Sequence, residues 1–376
     1  MGKTDKSLNP LLRTWETPHN IAPFSIINDE HFEPALEIAS AETLIEIEQI
    51  TANNHAPTFE NTIEALFKTG QLLDQVISTF YTIAGAHTNE KRDQLLLVFS
   101  TKLSDHNTKI YSNTELFERI DSVLETKKLQ NLNNEQARVL MLVHRNFVRS
   151  GAALKGENRE KFQTITRKLA DIGTRFSQNL LNDERDWFMK LDNKNLETLP
   201  SFLVQALNQA GKDRGVNQAV LTLSRSLITP FLQFCSDRAL REVAYVAWTK
   251  RGANEGDRNN VKLAYETLKL RAQMAKILGY ASYSHYKLDT EMASSPENVD
   301  KLLTTVWGPA RKAAIKDEAI LSSLMRQDGI GDTLRAWDWR FYAERRRLRD
   351  YDLNEENVKP FFQLDNLINA TFKCAF

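Results

Sequence analysis

A mainly α-helical protein is predicted by three features of this 376-residue sequence. Glycine (14 residues) and proline (10) are scarce, well below the usual shares of roughly 7% and 5%, which favours long helices over turn-rich sheets. Apolar residues advance in alternating steps of four and three at Phe59, Ile63, Leu66, Leu73, Ile77 and Phe80, with Gly70 filling the gap. The same rhythm returns at Phe162, Ile165, Leu169, Ile172, Phe176 and Leu180. Such a seam marks a helix packed along its length.

The elements follow in order. A helix is expected at 35–52, and after Pro57 the first seam predicts one long helix over 58–83. Shorter helices fit 114–127 and 134–149, with Thr114 and Asn134 as N-cap residues. The second seam predicts a helix at 157–182. Residues 186–192, DWFMKLD, alternate enough for a short strand, and Leu199-Pro200 then breaks the chain before another helix. The run GKDRGV at 211–216 reads as a loop. Helices are expected at 237–251 and about 258–278, the latter stopped by Gly279. Another begins near Ser294 and Glu297, at capping-box spacing with Pro296 in the first turn. A chain of this length folds as two or more domains. The predicted division lies near 190–215, giving an N-terminal helical domain over 1–200 and a second helical segment over 201–376.

Composition and motifs exclude several functions. Lys plus Arg and Asp plus Glu both number 49, so no global field draws in nucleic acid or an anionic membrane. The N-terminus carries no apolar stretch of the length an ordinary secretory signal needs. Nowhere do ~18 consecutive apolar residues occur, so no transmembrane helix is expected. Cys235 and Cys374 form no ligand or disulfide spacing, and Cys235 reads as a buried structural thiol. The expected address is the cytoplasm. Mean hydropathy, −0.45, agrees with a water-exposed surface.

The histidines are His19, His31, His55, His87, His106, His144 and His285; none pairs at the i, i+4 spacing that lets one helix face grip zinc. There is no HExxH, GxSxG, GxxxxGK[ST] or GxGxxG motif. Asp183, Glu184 and Asp186, in NDERD, read as a solvated loop rather than an acid and base pair. Between Trp337 and Asp352 five arginines face four acids, a weak lure for phosphates. Trp337, Phe341, Leu348 and Tyr351 instead suggest an amphipathic helix whose arginine stems flank an apolar side. No catalytic, cofactor-binding or metal-binding residue is therefore assigned.

The segment WDWRFYAERRR, followed by YDLNEENVKPFFQLDNL, resembles the run that precedes the catalytic region of thimet-oligopeptidase-type zinc metallopeptidases. It is most similar to the bacterial peptidyl-dipeptidases (dipeptidyl carboxypeptidases), with oligopeptidase A a near relative. The resemblance extends through NPLLRTWETPHNIAPFSIINDEHFEPAL (9–36), PTFENTIEAL (57–66), LFERI (116–120), FVRSGAAL (147–154) and LADIGTRFSQNLL (169–181). RGANEGDRNN (251–260), LRAQMAKILGY (270–280), MASSPENVDKLL (292–303) and VWGPA (306–310) follow in family order. Ala22 is a small departure.

The resemblance implies a two-lobed helical fold around a deep channel that admits unstructured oligopeptides. This chain would supply one helical lobe and the first elements of the other, truncated before the catalytic zinc region. In the family, HExxH and a downstream Glu hold Zn²⁺; those positions have no counterpart here, so zinc binding by this chain is not expected. Three functions follow as expectations. The chain is the N-terminal part of a zinc-dependent peptidyl-dipeptidase, which releases C-terminal dipeptides from oligopeptides, and is inactive alone. Alternatively it is half of a split enzyme completed by a separate C-terminal catalytic fragment. The third reading is a non-catalytic helical peptide-binding or scaffold protein. Under the first two, apolar helix faces should lie in water, with Phe372 and Phe376 among them.

Overall fold

The computed structural model describes residues 8–87, 89–128, 130–331, 333–352 and 358–376, with the side chain of Lys359 set aside. The start of the N-terminal segment and the LNEEN part of the YDLNEENVKPFFQLDNL run lie outside the described residues. The chain divides into two compact units, Met1–Gln163 and Thr164–Phe376.

In the first unit, α1 (Phe32–Thr51) anchors two cores. Its first turns bury Phe32, Leu36 and Ala39 against α3 (Gln71–Ala86) and α4 (Glu90–Tyr111). Phe80 stacks on Phe99 at 3.9 Å between ring centroids, and Phe32 meets Phe80 edge-on at 5.1 Å. Such pairs add specific geometry to the area they bury. The last turns of α1 place Ile47 and Ile50 in a second core, shared with α5 (Thr114–Glu125) and α6 (Asn134–Arg149).

The single helix expected over 58–83 is broken. Phe59–Glu64 forms a π-helical turn, α2 (Ala65–Lys68) follows, and Thr69 and Gly70 turn the chain before α3. Gly70 adopts φ +74°, a conformation that glycine reaches without the penalty of a Cβ. Its amide donates to the Glu46 carboxylate at 2.8 Å. Phe59, Ile63, Leu73 and Phe80 stay buried on either side, so the seam survives while the helix does not. The expected caps shift by one: Asn113 and Asn133, not Thr114 and Asn134, accept the first free amides of α5 and α6. From the residue just before each helix the asparagine Oδ1 reaches the third amide of the helix, and Gln136 closes a capping box on Asn133.

The division between units falls inside α7 (Gly156–Asp186). The helix runs four residues past the expected 182, so Asp183, Glu184 and Asp186 stand on its last turn rather than in a loop. Strand β1 (Phe188–Lys190) falls within the expected 186–192. After α8 (Asn193–Leu196) and α9 (Ser201–Asp213), β2 (Val220–Thr222) pairs antiparallel with β1, Phe188 opposite Thr222 and Lys190 opposite Val220. The expected loop at 211–216 begins later, because Gly211 to Asp213 complete α9. Gly211 is buried there, and a Cβ on it would lie 2.0 Å from the Gln218 carbonyl oxygen.

A core of Leu203, Leu207, Leu221, Ile228, Phe231 and Ala244 joins this strand pair to α9, α10 (Arg225–Phe234) and α11 (Arg238–Thr249). Helix α12 (Val261–Ile277) ends at Leu278, and Gly279 at φ +82° lets the Tyr280 amide return to the Ala275 carbonyl at 2.9 Å. The short α13 (Tyr283–Leu288) precedes α14 (Pro296–Gln327). Its N-cap is Ser295, accepting from the Asn298 amide, whereas the expected Ser294 sits at φ +59° in the preceding turn. Only the C-terminal end of α14 enters a core, where Leu321, Leu324 and Met325 pack on Tyr342 of α15 (Trp339–Tyr351). Every residue from 300 to 316 is exposed. The same holds along α16 (Leu364–Ala375), including Phe372, as the sequence led us to expect.

Helix α15 corrects one expectation. Its buried face presents Tyr342 and the acid Glu344, while Leu348 and Tyr351 are 42% and 76% exposed and Trp337 precedes the helix. The arginines explain the change, because ion pairing lets a carboxylate occupy the inward face.

Candidate functional site

No group of three or more His, Cys, Asp and Glu among the described residues is placed to hold a metal ion. The histidines are scattered. His31 accepts the Asn28 amide on Nδ1, His144 meets Asp121 at 2.9 Å, and His285 bonds Ser282 at 2.8 Å. His19 occupies a turn at φ +59°, and His55 and His87 lie at the surface. His106 is buried on α4 with neither ring nitrogen hydrogen-bonded. Burial, together with Lys109, pushes its pKa below the ordinary value. One apolar imidazole without a second ligand does not fit zinc.

The acidic turn of α7 works as a clamp. Asp183 accepts the Gly252 amide and the Asn254 side chain, both at 2.8 Å. Glu184 pairs with Arg251, and Asp186 pairs with Arg258 at 2.5 Å. Asn260, buried, bonds Asn179 at 2.8 Å and the Phe176 carbonyl at 3.0 Å. These contacts fasten the RGANEGDRNN loop to one face of α7. An open cleft of about 340 Å³ lies beside it, lined by Leu180, Glu184, Trp248, Thr249 and Arg251. Arg251 spreads over Trp248 and is already neutralised by Glu184, so the cleft carries little net charge.

Cys235 is buried, and burial pushes its thiol up to about 11. A thiol held neutral is a poor nucleophile. Cys374 is exposed on α16.

The arginine-rich helix is satisfied by acids. Arg346 meets Asp317 at 2.7 Å, Arg347 grips Glu344 with two nitrogens at 2.8 and 2.5 Å, and Arg345 pairs with Asp328. Glu344 also accepts from Gln233 at 2.8 Å. Burial raises the Glu344 carboxyl, but the bonds from Arg347 and Gln233 outweigh it and hold it below the usual range.

At the start of α15, Asp338 is wholly buried between two arginines of α11. Arg241 donates to it at 2.9 Å and Arg238 at 2.8 Å, and the Arg335 amide adds a bond at 3.0 Å. Burial pushes the Asp338 carboxyl up, yet these donors prevail and keep it below its ordinary value. Arg241 reaches the carbonyls of Cys235, Ser236 and Trp337 and lies 4.2 Å from the Phe341 ring centre. All three reachable carbonyls and the aromatic face thus compensate its desolvation. The i, i+3 arginines of DRALR and the aspartate inside WDW were the available sequence signal for this network. Its chemistry is that of a structural lock rather than a reacting centre.

Comparison with known proteins gives a consistent result. Residues 231–375 match peptidase family M3. The chain is 30% identical to the dipeptidyl carboxypeptidase of Salmonella typhimurium over 366 residues, which cover 96% of this chain and 54% of that protein. The dipeptidyl carboxypeptidase of Escherichia coli is also 30% identical, over 367 residues and the same shares. Oligopeptidase A of Escherichia coli is 26% identical over 370 residues, 97% of this chain and 54% of the relative. The chain spans about half the length of the curated relatives it matches.

Proposed function

Because residues 231–375 match peptidase family M3, we propose that the chain belongs to that family and serves as a helical part of a zinc-dependent peptidyl-dipeptidase, a class that releases C-terminal dipeptides from oligopeptides. Its helices shape the enclosure for an extended peptide. The described residues bring together no ligand set that fits zinc, and the chain by itself is expected to be inactive. The observation that carries this reading is the joint one: similarity over nearly all of this chain, but over only 54% of each dipeptidyl carboxypeptidase. The organisation into segments 1–200 and 201–376 belongs to the same proposal.

The exposed apolar side chains on α14 and α16 favour completion by a further catalytic polypeptide over a free-standing peptide-binding scaffold. A scaffold that evolved to stand alone has no reason to keep such faces in water. A cytoplasmic address is supported by the relative named as a probable cytosolic oligopeptidase A of Arabidopsis thaliana. No helix among the described residues is long and apolar enough to cross a membrane.

The test is a zinc measurement together with an assay of C-terminal dipeptide release on the purified chain. Substoichiometric zinc and no hydrolysis are expected. Tightly held zinc at one per chain with dipeptide release would overturn the proposal.

A further inference from the structure

We infer that the exposed face of α14 over 299–314 is a docking seat for the polypeptide that M3 relatives carry outside the portion this chain matches; the inference rests on the function proposed above.

Three observations converge on it. First, Val299, Leu303, Val306, Ala310 and Ala313 advance by four and three, so they share one face of the helix, with Leu302 and Trp307 at its margins. Leu302, Leu303, Val306 and Trp307 are each more than half exposed, and Trp307 reaches 69%. A contiguous apolar face of this kind on a chain of ordinary surface composition marks an interaction site, whereas single exposed apolar residues need no explanation.

Second, the unpartnered faces concentrate inside residues 231–375, the stretch that matches the family. Val261, Tyr265 and Leu268 on α12, the stripe on α14, and Leu364, Ile368 and Phe372 on α16 all lie there. Third, just under half of each dipeptidyl carboxypeptidase relative has no counterpart in this chain, although nearly all of this chain has a counterpart in them. The occupant is therefore a polypeptide of the same family architecture.

The charges at its margins specify the partner further. On a helix advancing about 100° per residue, Asp300 and Arg311 border one edge of the stripe and Lys316 the other. The positive charge gathers toward the C-terminal half. The partner is expected to present an apolar helix face with carboxylates opposite Arg311 and Lys316 and a basic group opposite Asp300.

The experiment co-expresses the full chain, tagged, with the portion of the Escherichia coli dipeptidyl carboxypeptidase that this chain does not match. A one-to-one complex is expected, with amide exchange over 299–314 slowed at least about tenfold relative to the chain alone. The variant L303D/V306D/W307E should lose the complex while keeping the helical circular dichroism of the parent, because all three side chains are exposed. The variant K301D/T304D, on the face of α14 away from the stripe, should keep it. No complex with the parent chain, survival of the complex in the triple variant, or release of a homodimer by that variant would each overturn the docking seat. A complex that forms as expected but releases no dipeptides would instead refute the peptidase reading and leave the docking seat standing.

Discussion

Arg241 and Asp338, 97 residues apart in sequence and both without solvent exposure, meet at 2.9 Å. The bond ties the first turn of α11 to the start of α15. Removing one partner strands the other charge in a dry site, which typically costs about 3–5 kcal/mol. The D338N variant should therefore be destabilised by that order in urea unfolding, and R241M/D338L should recover part of the loss because no buried charge is left unpaired. The carboxyl of Asp338 titrates below its ordinary 3.8 in the folded chain. Its stabilisation is thus complete above that value and is lost as pH falls through the folded pKa, a loss that D338N should no longer show.

His106 predicts an opposite cause for loss of stability in mild acid. Its folded pKa lies below the ordinary 6.5, because burial, and Lys109 beside it, oppose the charged form. The unfolded chain binds the proton first, so stability should fall as pH drops through 6.5 toward the folded value. Urea midpoints at about pH 7.5 and about pH 5.5 should differ for the parent and converge for H106L, which removes the titrating group and two buried unpaired nitrogens.

Gly211 predicts that a helix-favouring substitution will harm. Alanine normally gains up to about 1 kcal/mol over glycine inside a helix. Here its Cβ would lie 2.0 Å from a backbone oxygen of Gln218, which cannot swing aside as a side chain can. G211A should lower the melting temperature, with the paired strands β1 and β2 losing protection in hydrogen exchange.

The two thiols should react at very different rates. At pH 8 a disulfide reagent is expected to label Cys374, which is exposed, and to spare Cys235, whose thiol is buried and titrates at about 11. One equivalent in the native chain and two in denaturant is the expected count. Two equivalents in the native chain would show that the core around Cys235 opens readily.

Much of the helix layout was legible because apolar spacing is set by the same geometry that builds a helix. The seam at 162–180 marked out α7, and the spacing at 59–80 picked out Phe59, Ile63, Leu73 and Phe80 as buried even where the helix was broken, with Leu66 and Ile77 half-buried. That break was hidden because Gly70 is silent about φ until Glu46, 24 residues away, claims its amide. Helix starts slipped by one residue at Asn113, Asn133 and Ser295, since adjacent polar residues compete for one cap. The inward turn of Glu344 left no mark in the sequence, and that of Asp338 left only the paired arginines of DRALR and the aspartate inside WDW, which do not say that they meet. A carboxylate enters a core only when distant donors await it, and Gln233, Arg238 and Arg241 are roughly a hundred residues upstream.

Helix α14 touches α13 near its beginning and α15 near its end, and between these supports runs an unpropped span of 17 residues, 300–316, or about 25 Å at 1.5 Å per residue. Isolated helices of about that length are marginal in water. Pro309 removes one backbone bond in mid-span, with Gly308 beside it. The straightness of this beam is therefore conditional: its rigidity must be borrowed from a neighbour, and trypsin should find Arg311, Lys312 and Lys316 before it finds basic residues buttressed elsewhere.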